Sequence, residues 1–487
     1  MREAARDTVR FLLGHEKRAL KDIDPTQTVL EYLRGTERLC GTKEGCAEGD
    51  CGACTVVLGE AGPGGMAYKA VNACVLFVPA LDGRQLITVE HLRGPGGALH
   101  PVQQAMVDCH GSQCGFCTPG FVMSLFALYH AHRALDRTEI DLALAGNLCR
   151  CTGYRPIVAA AAQSCAGPVA DGFAAAKART LQQLAALRAP GMLALEFDGR
   201  RFFAPNSVAA LADLLAAHPD AVILAGGTDV GLWVTKQHRS LDVVISLEAV
   251  AGLADVTQTA TYIQIGAGAS YEAAHDVLAT AYPDLGMLIR RIGARQVRNR
   301  GTIGGNVANG SPIGDTMPAL IALGASVVLR RGGEQRCLAL EDFYLGYRRT
   351  ALQPGEFVER IDVPLPKPAM RFAAYKISKR PEQDISAVCA AFRLELEGGR
   401  VRGMRIGLGG VAATPFRAVG VENILQGQAW TEAAIRAAMA ELDRAIAPIS
   451  DMRSTAAYRS AVARNLLYKF FLETTSSVMR TRLEVSP

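Results

Sequence analysis

Eight of the thirteen cysteines in this 487-residue chain fall into two groups of four, so two stretches of the chain are expected to wrap around a centre. The first group has the spacing C-x4-C-x2-C and a more distant fourth member: Cys46, Cys51, Cys54 and Cys74. The second is a C-x2-C pair followed, after 31 residues, by a C-x-C pair: Cys114, Cys117, Cys149 and Cys151. Because a [2Fe–2S] cluster takes four thiolates, the pattern predicts two clusters and a relay of single electrons.

The spacing within each group argues against zinc. C-x4-C-x2-C is the spacing of plant-type ferredoxins. Zinc sites also use C-x2-C pairs, but C-x4-C-x2-C is not the usual paired-hairpin spacing and C-x-C is tight for a tetrahedral ion, which leaves zinc as the weaker alternative. The five other cysteines have no partner at ligand spacing and are predicted to be small buried apolar residues: Cys40, Cys109, Cys165, Cys337 and Cys389.

Composition limits the other possibilities. The length predicts roughly three domains. A net charge of +5 without a long basic block gives no reason to expect nucleic-acid binding. The N-terminal residues lack a signal peptide's apolar stretch, and no run approaches the roughly 18 apolar residues of a membrane span. We therefore expect a cytoplasmic protein that does not cross a membrane, in which reduced cysteines are available as metal ligands.

The predicted fold class is multidomain α+β, in five segments. They are an N-terminal segment with a β-grasp ferredoxin-like fold, a helical segment of four helices, a linker segment, a central α+β segment, and a C-terminal segment with a three-stranded sheet plus helices. Their predicted bounds are 1–92, 93–166, 167–194, 195–366 and 367–487.

Local patterns refine this division. We expect a hairpin from strands 8–13 and 18–23, a short helix over 28–34, and further helices over 101–110, 120–134, 139–145 and 156–165. Helix N-termini stabilise negative charge, and both cysteine pairs of the second group directly precede such helices. In the C-terminal segment, strands over 371–377, 387–396 and 401–408 precede helices near 432–445 and 455–471.

Two glycine-rich turns mark the central segment. The first follows an apolar strand over 221–225 and reads Gly226-Gly227-Thr228-Asp229; the second reads Thr302-Ile303-Gly304-Gly305-Asn306. Backbone N–H groups in such turns can cradle a diphosphate, although Gly-Gly turns are common. Neither is a G-x-G-x-x-G fingerprint, so a Rossmann NAD site is not indicated. Asp315 follows the second turn and is predicted to begin a helix. Its carboxylate could belong to the same site as the turns, or it could serve only as the N-cap of that helix.

Together these motifs resemble a known family. CGTKEGCAEGDCGACTVVLGE, SQCGFCTPGFVMS and AGNLCRCTGYRPI resemble the iron–sulfur part of the molybdenum hydroxylases, the xanthine dehydrogenase family, and the resemblance continues through the central segment. Among its members, the chain looks like the small iron–sulfur/FAD subunit of bacterial two-subunit enzymes. The resemblance implies two [2Fe–2S] clusters, the second nearer the molybdenum cofactor, and one FAD.

The resemblance also implies the FAD contacts. They lie in the two glycine-rich turns and at four positions elsewhere: Leu224, Ala225, Gly226, Gly227, Thr228, Asp229, Val230, Ile292, Thr302, Ile303, Gly304, Gly305, Asn306, Asp315, Val358 and Lys376. The alternative for Lys376 is an ordinary exposed lysine on a strand. A run of arginines precedes the second turn and is expected to be a solvated helix face, with one or two members reaching phosphate or a partner: Arg290, Arg291, Arg295, Arg298 and Arg300.

Two further sites follow from the resemblance. Gln113 and Cys151 would touch the pterin of a molybdenum cofactor, the alternative for Gln113 being a loop or helix-capping amide. NAD would bind near Tyr347, Arg348 and residues 382–384. Gln383 stands where some relatives have a carboxylate, which leaves nicotinamide binding open.

No part of the chain resembles a molybdenum-binding domain, so no catalytic residue is assigned. The resemblance implies a large molybdopterin-binding partner subunit, in a heterotetramer of two small and two large chains. Electrons from hypoxanthine or xanthine oxidation to urate would pass through the second cluster, the first cluster and FAD to NAD. Carbon monoxide dehydrogenases of this family usually carry the iron–sulfur and FAD domains on two separate chains. A carbon monoxide dehydrogenase subunit is therefore less expected here. The alternatives are an aldehyde, N-heterocycle or aromatic thioester substrate, or a free-standing electron carrier.

Overall fold

The computed structural model describes residues 5–62, 64–131, 135–188, 190–476 and 481. The N-terminal segment is a five-stranded mixed sheet in the order β2-β1-β5-β3-β4. Thr28 caps a short helix, which continues as one wider turn over Tyr32–Thr36 and packs on this sheet. The elements are β1 Thr8–Leu13, β2 Glu16–Lys21, α1 Val29–Glu31, β3 Thr55–Gly62, β4 Gly65–Asn72 and β5 Gln85–Ile87. This is the β-grasp arrangement predicted for the segment.

The helical segment holds the four predicted helices around a core centred on Phe121 and Phe126. They are α2 Pro101–Asp108, α3 Thr118–Tyr129, α4 Arg137–Leu144 and α5 Arg155–Ser164. Helix α3 begins two residues before its predicted start because Pro119 fits the first turn. It ends at Tyr129, with His130 as its C-cap, so the predicted helix was too long; residue 134, the predicted end, lies outside the described residues.

The linker segment is partly helical, with α6 Gly172–Ala175 and α7 Lys177–Leu187. It is also anchored. Phe173 is buried in the helical segment's core, and Asp171 accepts hydrogen bonds from Nε2 of His100 at 2.7 Å and Nε2 of His130 at 2.8 Å. A single carboxylate therefore joins this segment to α2 and to the end of α3.

Among the described residues, the central segment contains two larger sheets and a two-stranded sheet of β14 and β15. The first has the order β6-β7-β9-β8 and the second β10-β11-β16-β12-β13. Ser207 caps α8 by accepting the Ala210 N–H. The elements are β6 Leu193–Phe197, β7 Arg200–Ala204, α8 Val208–Ala217, β8 Val222–Leu224, α9 Val230–Thr235, β9 Val243–Ser246, β10 Val256–Gln258, β11 Tyr262–Gly266, α10 Tyr271–Ala281, α11 Pro283–Arg290, α12 Arg295–Arg298, α13 Ile303–Asn309, α14 Thr316–Leu323, β12 Ser326–Arg331, β13 Glu334–Ala339, β14 Tyr344–Gly346, β15 Arg349–Thr350 and β16 Phe357–Pro364.

The C-terminal segment has a four-stranded antiparallel sheet in which α14 of the central segment packs on two strands. Its elements are β17 Arg371–Ile377, β18 Val388–Glu397, β19 Arg400–Gly409, β20 Phe416–Arg417, α15 Val419–Leu425, α16 Glu432–Ala445 and α17 Ala456–Thr475. The predicted three-stranded sheet was therefore one strand short, because a two-residue strand leaves no periodic pattern in the sequence. The predicted multidomain α+β fold class is confirmed.

The five cysteines outside the two groups were predicted to be buried, and this prediction is wrong for some of them. Cys389 is buried and Cys109 and Cys165 are half-buried, but Cys40 and Cys337 are exposed. Cys40 lies in the loop before the first cysteine group, and Cys337 lies on the edge strand β13, where alternate side chains face solvent. Within the described ranges, no helix combines the length and apolar character needed to span a bilayer.

Candidate iron–sulfur and flavin sites

The first cysteine group lies on the loop between α1 and β3 and in the turn after β4. Within the loop, Cys46 Sγ accepts hydrogen bonds from the N–H groups of Asp50 at 3.4 Å and Cys51 at 3.3 Å. Gly49 and Gly52 have φ values of +78° and +69°, which lets the chain turn this sharply. The loop therefore directs backbone donors at sulfur, as an anionic iron–sulfur centre requires.

The four sulfurs form two pairs. A hydrogen bond with Cys51 lowers the pKa of Cys46 to about 4, and a hydrogen bond with Cys74 lowers the pKa of Cys54. Two thiolates at each of two irons is the ligand arrangement of a [2Fe–2S] cluster. A zinc ion, with Zn–S distances of about 2.3 Å, would draw all four sulfurs together. Among the described residues, the group with three potential ligand atoms within 4.8 Å of one another is His100, His130 and Asp171, not any three of these cysteines.

The second group is paired in the same way, Cys114 with Cys151 and Cys117 with Cys149. Burial and a hydrogen bond with Cys149 raise the pKa of Cys117 to about 12. Burial alone would also raise the pKa of Cys149, but hydrogen bonds with the Thr152 hydroxyl at 3.1 Å and the Thr152 N–H at 3.4 Å lower it. These residues fit a second [2Fe–2S] cluster, with Cys117 at the N-cap of α3.

One end of this second site faces solvent. Cys114 and Cys151 are exposed, whereas Cys149 is buried. Apolar side chains around them are also exposed, Phe116 by 48%, Leu148 by 38% and Tyr154 by 40%. Gln113 lies in the same exposed loop and is the N-cap of neither α2 nor α3, so the helix-capping alternative is wrong.

The two cysteine groups are in direct contact through their loops. The N–H of Leu148 donates to the carbonyl of Cys51 at 3.0 Å. Gly52 packs against the backbone of Gly146, where an added Cβ would clash with the Gly146 carbonyl oxygen. The close approach of the two loops therefore depends on glycine.

The two glycine-rich turns of the central segment lie side by side. The first connects β8 to α9, and the second begins with Thr302, whose hydroxyl caps α13 by accepting the Gly305 N–H at 2.9 Å. A Cβ on Gly226 would clash with the carbonyl oxygen of Arg300, and a Cβ on Gly305 would touch Ala225. The structure thus brings together the two predicted halves of the FAD site.

Polar groups at these turns are available to a ligand. Asn306 Oδ1 is buried and has no hydrogen-bond partner among the described residues. Burial raises the pKa of Asp229, although its carboxylate accepts the indole N–H of Trp233 at 3.2 Å. Adjacent small-residue turns with a buried free acceptor fit the hydroxyl-rich and diphosphate parts of FAD.

Asp315 and Lys376 form a buried ion pair. Lys376 Nζ donates to Asp315 Oδ2 at 2.8 Å and to the Arg291 carbonyl at 2.8 Å, and Ser386 donates to Asp315 Oδ1. The alternative of an exposed lysine is wrong, since Lys376 is 5% exposed. Asp315 precedes α14, but its side chain makes no capping hydrogen bond. Two predicted flavin contacts therefore join the central and C-terminal segments.

The last two predicted flavin contacts are apolar. Val358 is buried on β16, and Ile292 is half-buried just after α11. Both pack in the core that contains Ile303 of the second glycine-rich turn.

The arginine run is not the solvated face that was predicted. Arg298 is buried, Arg295 pairs with Glu139 of the helical segment at 3.1 Å, and Arg300 pairs with Glu248. Arg290 is 3.6 Å from Glu139, and Arg291 donates to the carbonyls of Lys376 and Pro381. Arg290 and Arg295 thus reach the helical segment and Arg291 reaches the C-terminal segment. Arg298 and Arg300 find their acceptors within the central segment.

The first cysteine group packs directly against the first glycine-rich turn, a contact that was not predicted from the sequence. Val75, next to Cys74, packs so closely on Gly231 of α9 that a Cβ there would lie 2.7 Å from the Val75 carbonyl oxygen. Thr235 Oγ1 also donates to the carbonyl of Ala47, next to Cys46, at 2.9 Å. A crevice runs along this contact, lined by Asn72, Val75, Leu76, Gly226, Thr228, Gln296 and Arg300. In the sequence, the one indication of this close packing is Gly231 near the start of α9, five residues after Gly226.

The predicted nicotinamide residues lie in two places. Tyr347 is 60% exposed, and the guanidinium of Arg348 stacks 5.5 Å from its ring centre. The charge of Arg348 acts on Asp229 in the first glycine-rich turn. Gln383, by contrast, donates to the Ala145 carbonyl of the helical segment. This contact ties residues 382–384 to the iron–sulfur part of the fold.

Comparison with known proteins gives three family matches. Residues 88–162 match a [2Fe-2S] binding domain, residues 195–366 the FAD binding domain in molybdopterin dehydrogenase, and residues 373–474 the CO dehydrogenase flavoprotein C-terminal domain.

Similar proteins cover different parts of the chain. Xanthine dehydrogenase of Emericella nidulans is 31% identical over 97% of this chain and 39% of its own length, and xanthine dehydrogenase/oxidase of Rattus norvegicus is 30% identical over 98% and 40%. The chain thus spans about two fifths of these curated relatives. Among solved structures, a chain of CO dehydrogenase from Oligotropha carboxidovorans matches with 31% identity and a TM-score of 0.52, over 55% of this chain and 94% of its own. A chain of quinoline 2-oxidoreductase from Pseudomonas putida 86 matches with 26% identity, a TM-score of 0.51 and the same coverage.

Proposed function

This chain belongs to the molybdenum hydroxylase family, and from that premise we propose that it carries electrons between a molybdenum cofactor on a partner polypeptide and NAD. The observation that carries the proposal is the unbroken series of contacts between its sites. The second cysteine group contacts the first through Leu148 and Cys51, and the first contacts the glycine-rich turns through Val75 and Gly231.

The residues of the chain hold and insulate the carriers. When bound, the clusters transfer electrons singly, and FAD takes up two and passes on a hydride. Cys114, Cys117, Cys149 and Cys151 hold the cluster nearest the partner, and Cys46, Cys51, Cys54 and Cys74 hold the cluster nearest FAD. The flavin contacts are those of the two glycine-rich turns with Ile292, Asp315, Val358 and Lys376. Tyr347 and Arg348 would bind NAD on the side of the first glycine-rich turn, where the Arg348 charge acts on Asp229.

The proposed partner is a large molybdopterin-binding subunit in a cytoplasmic heterotetramer. The exposed apolar side chains around Cys114 and Cys151 support a docking surface at this end of the relay, because contiguous exposed apolar residues mark interaction sites. Gln113 and Cys151 then lie at the pterin.

The proposed overall reaction is the oxidation of hypoxanthine and xanthine to urate. Relatives named xanthine dehydrogenase match more than nine tenths of this chain, whereas the CO dehydrogenase and quinoline 2-oxidoreductase chains match 55%. Another hydroxylase substrate is the second candidate, favoured by Aldehyde oxidase 2 of Cavia porcellus, which is 29% identical over 96% of the chain.

Purification of the protein from its native host tests the proposal. We expect about four iron atoms per chain, by the ligand count, one FAD, two paramagnetic [2Fe–2S] signals and a co-purifying molybdopterin subunit. Zinc in place of iron would overturn the relay. NAD reduction by the complex with xanthine supports the purine assignment, and turnover only with aldehydes or other N-heterocycles supports the second candidate. A lone chain with full NADH-to-dye activity would indicate a free-standing carrier.

A further inference from the structure

Four polar side chains meet in the interior where three segments of the fold join. They come from the N-terminal, helical and central segments, and each is at most 2% exposed: Thr55, Ser124, Asn147 and Gln296. Gln296 lies on the short helix α12, and its Nε2 is 3.1 Å from Asn147 Oδ1, 3.2 Å from Ser124 Oγ and 3.3 Å from Thr55 Oγ1. One amide group thus contacts acceptors from both iron–sulfur segments.

The partners of Gln296 are themselves bound to the cysteine loops. Asn147, two residues before Cys149, donates from Nδ2 to the Gly52 carbonyl at 3.0 Å. The Thr55 hydroxyl donates to the same carbonyl at 2.7 Å. Since Gly52 follows Cys51 directly, Gln296 is two hydrogen bonds away from the backbone of both cysteine groups.

Gln296 also faces the flavin side. It lines the crevice shared with Val75, Gly226 and Thr228. It stands four residues before Arg300, whose carbonyl packs on Gly226. A Cβ on Gly146 would clash with Gln296 Oε1, so the backbone of the helical segment closes tightly over the amide.

The partners of Gln296 all contact its Nε2, since its Oε1 is buried without a partner among the described residues. A buried N–H donor with several acceptors favours one arrangement of its surroundings, because another would leave that donor and its acceptors unpaired in a medium of low dielectric. We propose that Gln296 is a positioning residue that fixes the separation and orientation of the two cluster sites and the flavin site. This inference rests on the proposed function, since it assigns the residue that keeps the relay in register.

The test compares Gln296→Met with Gln85→Met in the full holoprotein. Methionine keeps the length and the apolar part of the side chain but cannot donate. Gln85 is a matched control because it is also fully buried, donates from Nε2 to the Gly14 carbonyl at 2.7 Å, and lies on β5 within a single sheet. We expect both variants to bind iron and FAD at wild-type ratios. Only Gln296→Met should change the magnetic interaction between the two reduced clusters and slow FAD reduction by the clusters several-fold.

The outcomes separate this inference from the proposed function. Absence of both cluster signals or of FAD from the wild-type protein would overturn the relay. A normal wild-type protein in which Gln296→Met and Gln85→Met leave the same magnetic interaction and the same internal rate would overturn the role of Gln296 alone. If Gln296→Met does not accumulate, Ser124→Ala removes one of the acceptors of Gln296 and must change the magnetic interaction relative to the wild-type protein. An unchanged interaction counts against the proposal.

Discussion

The backbone N–H of Leu148 donates a hydrogen bond to the carbonyl of Cys51 at 3.0 Å. One hydrogen bond and a few covalent bonds therefore separate a sulfur of the first cysteine group from Cys149 of the second. Because both partners are main-chain atoms, the contact depends on how closely the loops approach, and the absence of a Cβ at Gly52 and Gly120 leaves the necessary space.

Replacing one cluster ligand should affect one site only. We expect Cys149→Ser to remove or alter one of two [2Fe–2S] paramagnetic signals and to leave flavin reduction by NADH largely intact, because the first group and the glycine-rich turns do not use its thiolate. Electron paramagnetic resonance and flavin absorbance measure the two effects. Cys165→Ser, at the C-cap of the helix α5 that follows the Cys149 loop, is the control and should keep both signals. Loss of FAD together with both signals would instead indicate that Cys149 is needed for folding.

An added methyl group at Gly226 should displace FAD. The Cβ of Gly226→Ala would clash with the Arg300 carbonyl oxygen, so the two glycine-rich turns must separate. We expect the FAD content to fall by most of its wild-type value while the iron content stays unchanged, as measured by absorbance and metal analysis. Gly333→Ala, in the β12–β13 hairpin, meets no atom within 4 Å and should retain FAD. Full FAD occupancy in Gly226→Ala would show that the flavin does not bind at these turns.

Removing the charge of Lys376 should destabilise the boundary between the central and C-terminal segments. Lys376→Met leaves Asp315 buried without its ion-pair partner, a change that costs about 3–5 kcal/mol. The double variant Lys376→Met/Asp315→Asn removes both charges and should recover part of this loss. Urea denaturation followed by circular dichroism compares the two. Equal denaturation midpoints for the single and double variants would mean that the ion pair contributes little.

Acid should weaken the contact between the N-terminal and central segments. Burial alone would raise the pKa of Glu60, but the charges of Arg84 and Lys69 lower it to about 2, and Arg84 also pairs with Glu248. The unfolded chain has the ordinary glutamate pKa of about 4.3. It therefore binds the proton first, so the stabilisation by Glu60 is complete above about pH 4.5 and is lost as pH falls towards 2.

Thermal unfolding between pH 6 and pH 3 measures this dependence. Glu60→Gln should lower the midpoint at pH 6 and flatten its fall with acid relative to wild type, and any loss of cluster in acid is common to both proteins. Glu397→Gln is the control, because that carboxylate is 74% exposed and 3.7 Å from Arg402. A wild-type acid slope in Glu60→Gln would rule out this group as a source of the pH dependence.

Features that depend on neighbours in the chain could be predicted from the sequence. Hydrophobic alternation predicted β1 and its pairing with β2, and the helical pattern predicted α16 at its observed bounds. The spacing of the cysteines predicted two ligand groups, and the two glycine-rich turns were recognised as one site. The predicted strands and helix are found because such elements and their turns are set by residues only a few positions apart, whereas the ligand groups and the flavin site stay predictions.

Burial and partnership of charged groups were decided only by the tertiary structure. Lys376 has the pattern of an exposed strand residue, but its partner Asp315 lies 61 residues away. Gln296 reaches Thr55 across 241 residues, and its neighbour Arg295 pairs with Glu139 of the helical segment instead of facing solvent. Whether a polar side chain is buried depends on which surfaces pack together, and that packing is set by contacts far apart in the sequence. The amino-acid sequence by itself therefore determined which groups can hold the carriers, whereas the packing of the segments decided how those groups are spaced and joined.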